Sequence, residues 1–325
     1  MGTTDIVQAM VSPVEKLIET VSGAIGKIYE PRHVRKMAEA KAYELKLIAD
    51  AVRNNKDLPV VYNTNGFSID TSSYEEIAKR ASHRLVFQEY IKQQNIEAVV
   101  DRAYEELSGE ESVSSEPVSR DWMFRFFDSI EDVSNEKIQE IWAHILAGEI
   151  RLPNTYNYRT LECLRHITQQ EVDVFRRVLS LTLQSSGAYF IVADNELLNK
   201  YNVYFSDVLK LEECGLMNAQ NLSLTLATTV EQKSYIFNSK YIGLIKGEKQ
   251  DVSKIELSVF TFTGSGIQLM KAIQPECPEQ YLFDYLQIIA DKNKDFSITA
   301  HKINSINEDG SINYNTDIFF ITDKK

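Results

Sequence analysis

The chain has 325 residues, of which 43% are hydrophobic and 25% are charged. This composition excludes a disordered chain, a collagen-like fibre and a small disulfide scaffold, and the length predicts about two domains. The net charge of −12 argues against nucleic-acid binding as the main activity, because the phosphate backbone repels an acidic surface.

Cysteine usage and the lack of long apolar runs predict a cytoplasmic protein. Cys163, Cys214 and Cys277 form no C-x-x-C pair, and we interpret them as apolar fillers in a reducing compartment. No run approaches the ~20 apolar residues that span a bilayer. The first residues lack the basic and apolar regions of a secretory signal.

Two amphipathic helices are predicted in an N-terminal region, residues 1–55. Residues 5–29 have apolar side chains at spacings of three and four. This face either packs on the protein itself, which we favour, or makes peripheral contact with a membrane or a partner. A second, basic helix begins at Pro31, and we interpret its charges as a solvated face, with nucleic acid or anionic lipid as the alternative ligands.

A central helical domain is predicted over residues 74–184. It opens with a long helix over about 73–107, and residues 54–73 before it are interpreted as a loop or a short hairpin. Residues 108–119 are rich in serine, glutamate, glycine and proline, which predicts a flexible linker.

The best-packed core is expected over residues 120–184, where both tryptophans lie. Ser134 is predicted to cap the second helix of this segment, and Thr168 with Glu171 forms a capping box for the fourth. The predicted structural core consists of large apolar residues on two helices: Trp122, Phe126, Phe127, Trp142 and Leu146.

Residues 185–325 predict an α+β domain that resembles a winged helix. A short helix over 206–214 precedes alternating apolar residues over 222–226 and 255–259. Asp309-Gly310 predicts a hairpin near the end of the chain. The fold class expected is mainly α, with an N-terminal and central helical bundle and a C-terminal winged-helix-like domain. The candidate recognition helix is acidic, so we favour a protein-contact or structural module over a DNA reader.

Motifs of nucleotide binding and hydrolysis are absent: the sequence has no G-x-x-x-x-G-K-[ST], G-x-G-x-x-G, G-x-S-x-G or H-E-x-x-H. Cys163, with His166 one turn later, is interpreted as a core filler rather than a nucleophile. A metal alternative rests on two i,i+4 pairs, Glu140 with His144 and Glu162 with His166. Chance pairs on helix surfaces are favoured, because helical di-iron proteins use i,i+3 spacing.

A family resemblance rests on three stretches of the chain. They are residues 23–51 (GAIGKIYEPRHVRKMAEAKAYELKLIADA), residues 93–107 (QQNIEAVVDRAYEEL) and residues 121–175, which include IQEIWAHILAGEI. In this order they resemble a bacterial family catalogued as domain of unknown function 2806. The third stretch is also similar to the abortive-infection alpha proteins, which implies a link to phage defence. The resemblance implies no reaction, and Arg159 is the matched position whose charge suggests a polar site.

The expected function is that of a non-enzymatic interaction or assembly protein of a bacterial cell, acting in antiviral defence. Its partner is another protein or a further copy of itself, so an oligomer is expected, and no cofactor is implied. A winged-helix DNA-binding regulator and a metal-dependent hydrolase are the two alternatives.

Overall fold

The structure of the protein is a computed structural model. It describes residues 10–25, 61–63, 66–68, 71–248, 250–273, 275–307 and 310–321. The chain divides into two compact units, residues 1–158 and residues 159–325, and each is described by itself. The basic helix predicted from Pro31 lies outside the described residues. Within the described ranges, no helix is both long and apolar enough to cross a membrane.

The first unit combines helices with short strands. Its elements are β1 (Met10–Val11), α1 (Pro13–Ile25), β2 (Val61–Asn63), β3 (Gly66–Ser68), α2 (Thr71–Leu107), β4 (Val113–Ser114), α3 (Arg120–Ile130) and α4 (Glu136–Arg151). β1 pairs with β4 and β2 pairs with β3, both antiparallel. Of the helix predicted over 5–29, residues 5–9 and 26–29 lie outside the described residues; the described part begins at Pro13, because the fixed φ of proline and its missing N–H suit a first turn.

Aromatic side chains of α3 and α4 form the core of the first unit. The residues proposed for this core are all buried: Trp122, Phe126, Phe127, Trp142 and Leu146. Phe126 stacks on Trp122 with ring centroids 5.1 Å apart and packs edge-to-face on Trp142 at 5.5 Å. The cap of α4 is Asn135 and not Ser134, because the side-chain Oδ1 of Asn135 accepts from the backbone N–H groups of Lys137 and Ile138.

The composition predicts a flexible linker over residues 108–119. Part of this segment belongs to the folded first unit. It contains β4, in which Val113 and Ser114 are buried. The carbonyl of Ser114 accepts a hydrogen bond of 2.7 Å from Nζ of Lys16, so a long-range contact holds this segment.

The second unit consists of helices and a large sheet. Its elements are α5 (Tyr158–His166), α6 (Gln169–Leu179), β5 (Leu183–Ser185), β6 (Ala188–Val192), α7 (Asn195–Lys200), α8 (Phe205–Glu213), β7 (Met217–Thr228), β8 (Ser234–Phe237), β9 (Tyr241–Gly247), β10 (Ser253–Phe262), α9 (Gly264–Ala272), α10 (Glu279–Lys292), β11 (Phe296–Ile306), β12 (Ile312–Tyr314) and β13 (Phe320–Ile321). The predicted capping box of Thr168 and Glu171 is present at α6. β11 and β12, on either side of the hairpin predicted at Asp309-Gly310, pair antiparallel, while Asp309 itself lies outside the described residues.

The predicted fold class is wrong. Nine strands of the described chain form one sheet in the order β12-β11-β9-β8-β5-β6-β10-β7, with β13 also paired to β11. Every adjacent pair is antiparallel. The alternating residues that suggested a small wing belong to β7 and β10, which are long members of this sheet. The chain is therefore not mainly helical, and its C-terminal part is not a winged helix.

The centre of the sheet explains why the sequence pattern was misleading. β9 is buried along nearly its whole length, so its apolar residues show no alternation. α10 packs on this sheet through a buried face of Tyr281, Leu282, Tyr285, Leu286 and Ile289. Gly243 of β9 allows this approach, because a Cβ there would lie 2.7 Å from Cδ1 of Leu286.

Candidate functional site

A charged network joins α2 to α4 in the first unit. Glu106 contacts Nδ1 of His144 through Oε2 at 2.5 Å and the Arg151 guanidinium through Oε1 at 2.7 Å. Arg151 also donates to Glu110 at 2.6 Å. The hydrogen bond to Glu106 raises the pKa of His144, although burial opposes this shift. Burial works against ionisation of Glu106, but His144 and Arg151 outweigh it and lower the pKa of that carboxyl.

A buried lysine links three elements of the same unit. Lys16 is 7% exposed, beside Leu17 and Val21 on the buried face of α1. Its ammonium donates to the carbonyls of Ser114 at 2.7 Å and Ile150 at 2.8 Å, the latter near the C-terminus of α4. Burial lowers the pKa of Lys16, and neighbouring carboxylates partly offset this. The lysine therefore has a structural role.

The contacts of the described residues do not bring together the four residues that were proposed as metal ligands. The His144 ring is engaged by Glu106, and Nε2 of His166 lies 3.9 Å from Glu162 with both side chains mostly exposed. Glu140 is exposed on α4. Across the described ranges, no group of three or more His, Cys, Asp or Glu residues is placed to hold a metal ion.

Arg159, the candidate polar site, is exposed at the start of α5. The ion pairs found among the described residues do not include it. The sequence therefore indicated a surface arginine. The charged side chains with long-range contacts in the first unit include Lys16, Glu106, His144 and Arg151. No local spacing marks these residues, since their partners are distant in the chain.

The second unit also offers a binding feature at the outer edge of β7. Within the described residues, β7 pairs with β10 alone and forms one end of the sheet. Ser223 of β7 lies opposite Ser258 of β10. The Ser258 carbonyl accepts from the Ala193 N–H on the other side of β10, so the backbone of Ser258 faces away from β7. In an antiparallel ladder, two opposite residues either hydrogen-bond to each other or both direct their N–H and C=O groups away from each other. The N–H and C=O of Ser223 therefore point to the outer edge.

The same alternation places Thr225 beside Ser223 on this edge. Thr225 is two residues further along, where the register to β10 is regular. The N–H and C=O groups of both residues are thus available, and no hydrogen bond to another described residue occupies them. The Ala227 carbonyl, next in the series, accepts from Ser234 Oγ at 2.6 Å, which marks where the open edge ends.

β7 lacks two of the features that protect edge strands, charge and proline, although its ladder with β10 is irregular between Leu222 and Asn218. Its twelve residues, MNAQNLSLTLAT, contain no charged residue and no proline. Residues 220–223 are exposed in succession, and Leu222 is 43% exposed. At the opposite end of the sheet, β12 has only three residues and β13 two. A long, neutral, open edge is a template for pairing with another strand.

Comparison with known proteins identifies the family of the chain. The family model described as "Protein of unknown function (DUF2806)" matches residues 79–287, which is more than half of the chain. No curated protein and no solved structure matches it. The chain therefore belongs to the DUF2806 family.

Proposed function

We propose that this chain is a non-enzymatic assembly protein of the bacterial cytoplasm that self-associates through the outer edge of β7. The observation that supports this function is the open, uncharged edge of β7, with the polar backbone groups of Ser223 and Thr225 directed outwards.

A second copy of the same strand is the occupant that best fits this edge. In an antiparallel pair centred on Leu224, Ser223 of each copy lies opposite Thr225 of the other. The outward N–H and C=O groups then bond reciprocally. Leu222 lies opposite Leu226 on one face of the pair, so apolar residues meet apolar residues. The absence of charge from β7 means that no like charges of this strand oppose each other. The interface is isologous, as expected of a two-fold dimer.

Light scattering coupled to size-exclusion chromatography tests the proposal. We expect a mass near twice the 37.2 kDa of one chain at high concentration and a concentration-dependent fall towards one chain on dilution. Ser223→Pro removes the outward N–H without touching the bonds to β10, so it should give a monomer of unchanged circular dichroism. Ser223→Thr, which keeps the N–H, is the matched control. A monomeric wild-type chain, or a dimer that survives Ser223→Pro, would contradict the proposal.

A role of this assembly in antiviral defence is a further proposal, supported by the sequence resemblance of residues 121–175 alone. If it is right, cells that express the wild-type chain should resist phage plating. Cells that express Ser223→Pro should lose this resistance, whereas Ser223→Thr should keep it. Equal plating on all three strains would reject the role in defence without affecting self-association.

A further inference from the structure

Two of the three cysteines line the same cavity in the second unit. The cavity has a volume of about 390 Å³, and its walls include Cys163 and His166 of α5, Glu171 of α6, and Cys214 directly after α8. Both thiols are partly exposed, whereas Cys277 is buried. A small solute therefore has access to Cys163 and Cys214 from the same side.

The backbone after Cys214 brings α8 close to Cys163. Gly215 has a φ of +72°, a conformation that favours glycine. A Cβ at Gly215 would lie 3.4 Å from Sγ of Cys163, so the Cys163 sulfur reaches the residue adjacent to Cys214. The Glu171 carboxylate lines the same cavity as Cys214 and raises the pKa of that thiol. Two thiols and a proton acceptor are thus gathered in one accessible place.

We propose that Cys163 and Cys214 form a peroxide-sensitive pair that closes to a reversible disulfide. In the first step the Cys163 sulfur attacks a small hydroperoxide, the O–O bond breaks, and Cys163 becomes a sulfenic acid while the peroxide is reduced to an alcohol or to water. In the second step the Cys214 sulfur attacks the Cys163 sulfur. The S–O bond breaks, the hydroxide leaves as water, and the proton of Cys214 passes through Glu171.

The surroundings of Cys214 indicate which thiol reacts with peroxide and which one then forms the disulfide. Burial and the neighbouring Glu171 carboxylate raise the pKa of Cys214 to about 11, so this thiol stays protonated at neutral pH and reacts slowly with peroxide. The same carboxylate is placed to accept the proton when Cys214 attacks. In the proposed pair Cys163 is the thiol that is oxidised first, and Cys214 is the one that resolves it. Transient disulfides of this kind are the type found in reducing compartments.

Alkylation and intact mass measurement after hydrogen peroxide treatment test the pair. In the wild-type chain we expect two thiols to be lost together, with a peptide map that joins Cys163 to Cys214 and full recovery after reduction. Cys277 should remain alkylatable. Cys214→Ser should leave Cys163 without a resolving thiol, so it proceeds to the sulfinic acid, and Cys163→Ser should leave Cys214 reduced. A bond to Cys277, the loss of one thiol without the other, or no oxidation at either position would overturn the proposal.

Glu171→Gln provides a second measurement that does not depend on removing a thiol. This variant should form the same disulfide at a changed rate, because the proton of Cys214 loses its acceptor and the Cys214 thiol loses the carboxylate that raises its pKa. An unchanged rate of disulfide formation would exclude the role assigned to Glu171. The oligomeric state of the chain is measured separately, so this result is independent of pairing at β7.

Discussion

Oε2 of Glu106 and Nδ1 of His144 lie 2.5 Å apart on two helices of the first unit. The pKa of His144 is raised, so its contribution to stability is full below the unfolded value of about 6.5 and is lost as the pH rises through the folded value. The pKa of Glu106 is lowered, so its contribution is present above about 4.3 and is lost as the pH falls. The contact between Glu106 and His144 therefore contributes most to the free energy of unfolding between about pH 4.5 and 6.5.

His144→Gln should reduce the free energy of unfolding near about pH 5.5 and have a smaller effect near about pH 9. Because the two side chains are 41% and 25% exposed, we expect a loss of at most ~1 kcal/mol at the lower pH. Urea titrations at both pH values measure the difference. His166→Gln is the matched control, since that ring is 78% exposed, and it should change little. An equal loss at both pH values would contradict this account of His144.

Lys16→Met should destabilise the first unit by ~2–4 kcal/mol, because two buried carbonyl groups lose their donor and the buried Glu149 carboxylate loses a nearby cation. Methionine replaces the unbranched apolar part of the lysine side chain, so lost packing contributes little. Thermal or urea unfolding gives the value. Lys137→Met, on the exposed surface of α4, is the control and should be nearly neutral. A neutral Lys16→Met would show that its ammonium is dispensable.

Substitution by alanine should change the stability very differently at two glycines near the start of α9. A Cβ at Gly266 would lie 2.1 Å from the Leu216 carbonyl oxygen, a backbone atom that cannot move aside without shifting the chain. Gly266→Ala should therefore cost ~3 kcal/mol or more. A Cβ at Gly264 would meet nothing within 4 Å, so Gly264→Ala should be near neutral or slightly stabilising. Equal melting temperatures of the two variants would show that the contact between Gly266 and Leu216 does not constrain the fold.

Local patterns predicted the helices well where one face of the helix is polar. The capping box of Thr168 and Glu171 appears where its spacing indicates. The sheet was underestimated because strand partners come from distant parts of the chain. β10, for example, pairs with β6 and β7, and β9 with β8 and β11. Period-two patterning shows that a segment is a strand, but not how many strands it joins.

The candidate surface was only partly visible in the sequence. The alternation of Leu222, Leu224 and Leu226 predicted a strand, and its lack of charge could be seen by inspection. Its position at the end of the sheet depends on pairing and required the structure. The contact of Glu106 with His144 spans 38 residues, so no helical spacing rule could find it.

Disulfide trapping between two single-cysteine additions tests the central claim most directly. In the proposed dimer Ser223 of one copy lies opposite Thr225 of the other, whereas two Ser223 residues are diagonal neighbours about 7–8 Å apart, beyond the reach of a disulfide. An equal mixture of Ser223→Cys and Thr225→Cys chains, oxidised mildly and mapped by mass spectrometry, should give a bond between positions 223 and 225. Each variant alone should not cross-link at its new cysteine. Trapping of either variant with itself, or no bond in the mixture, would contradict pairing of two copies at β7.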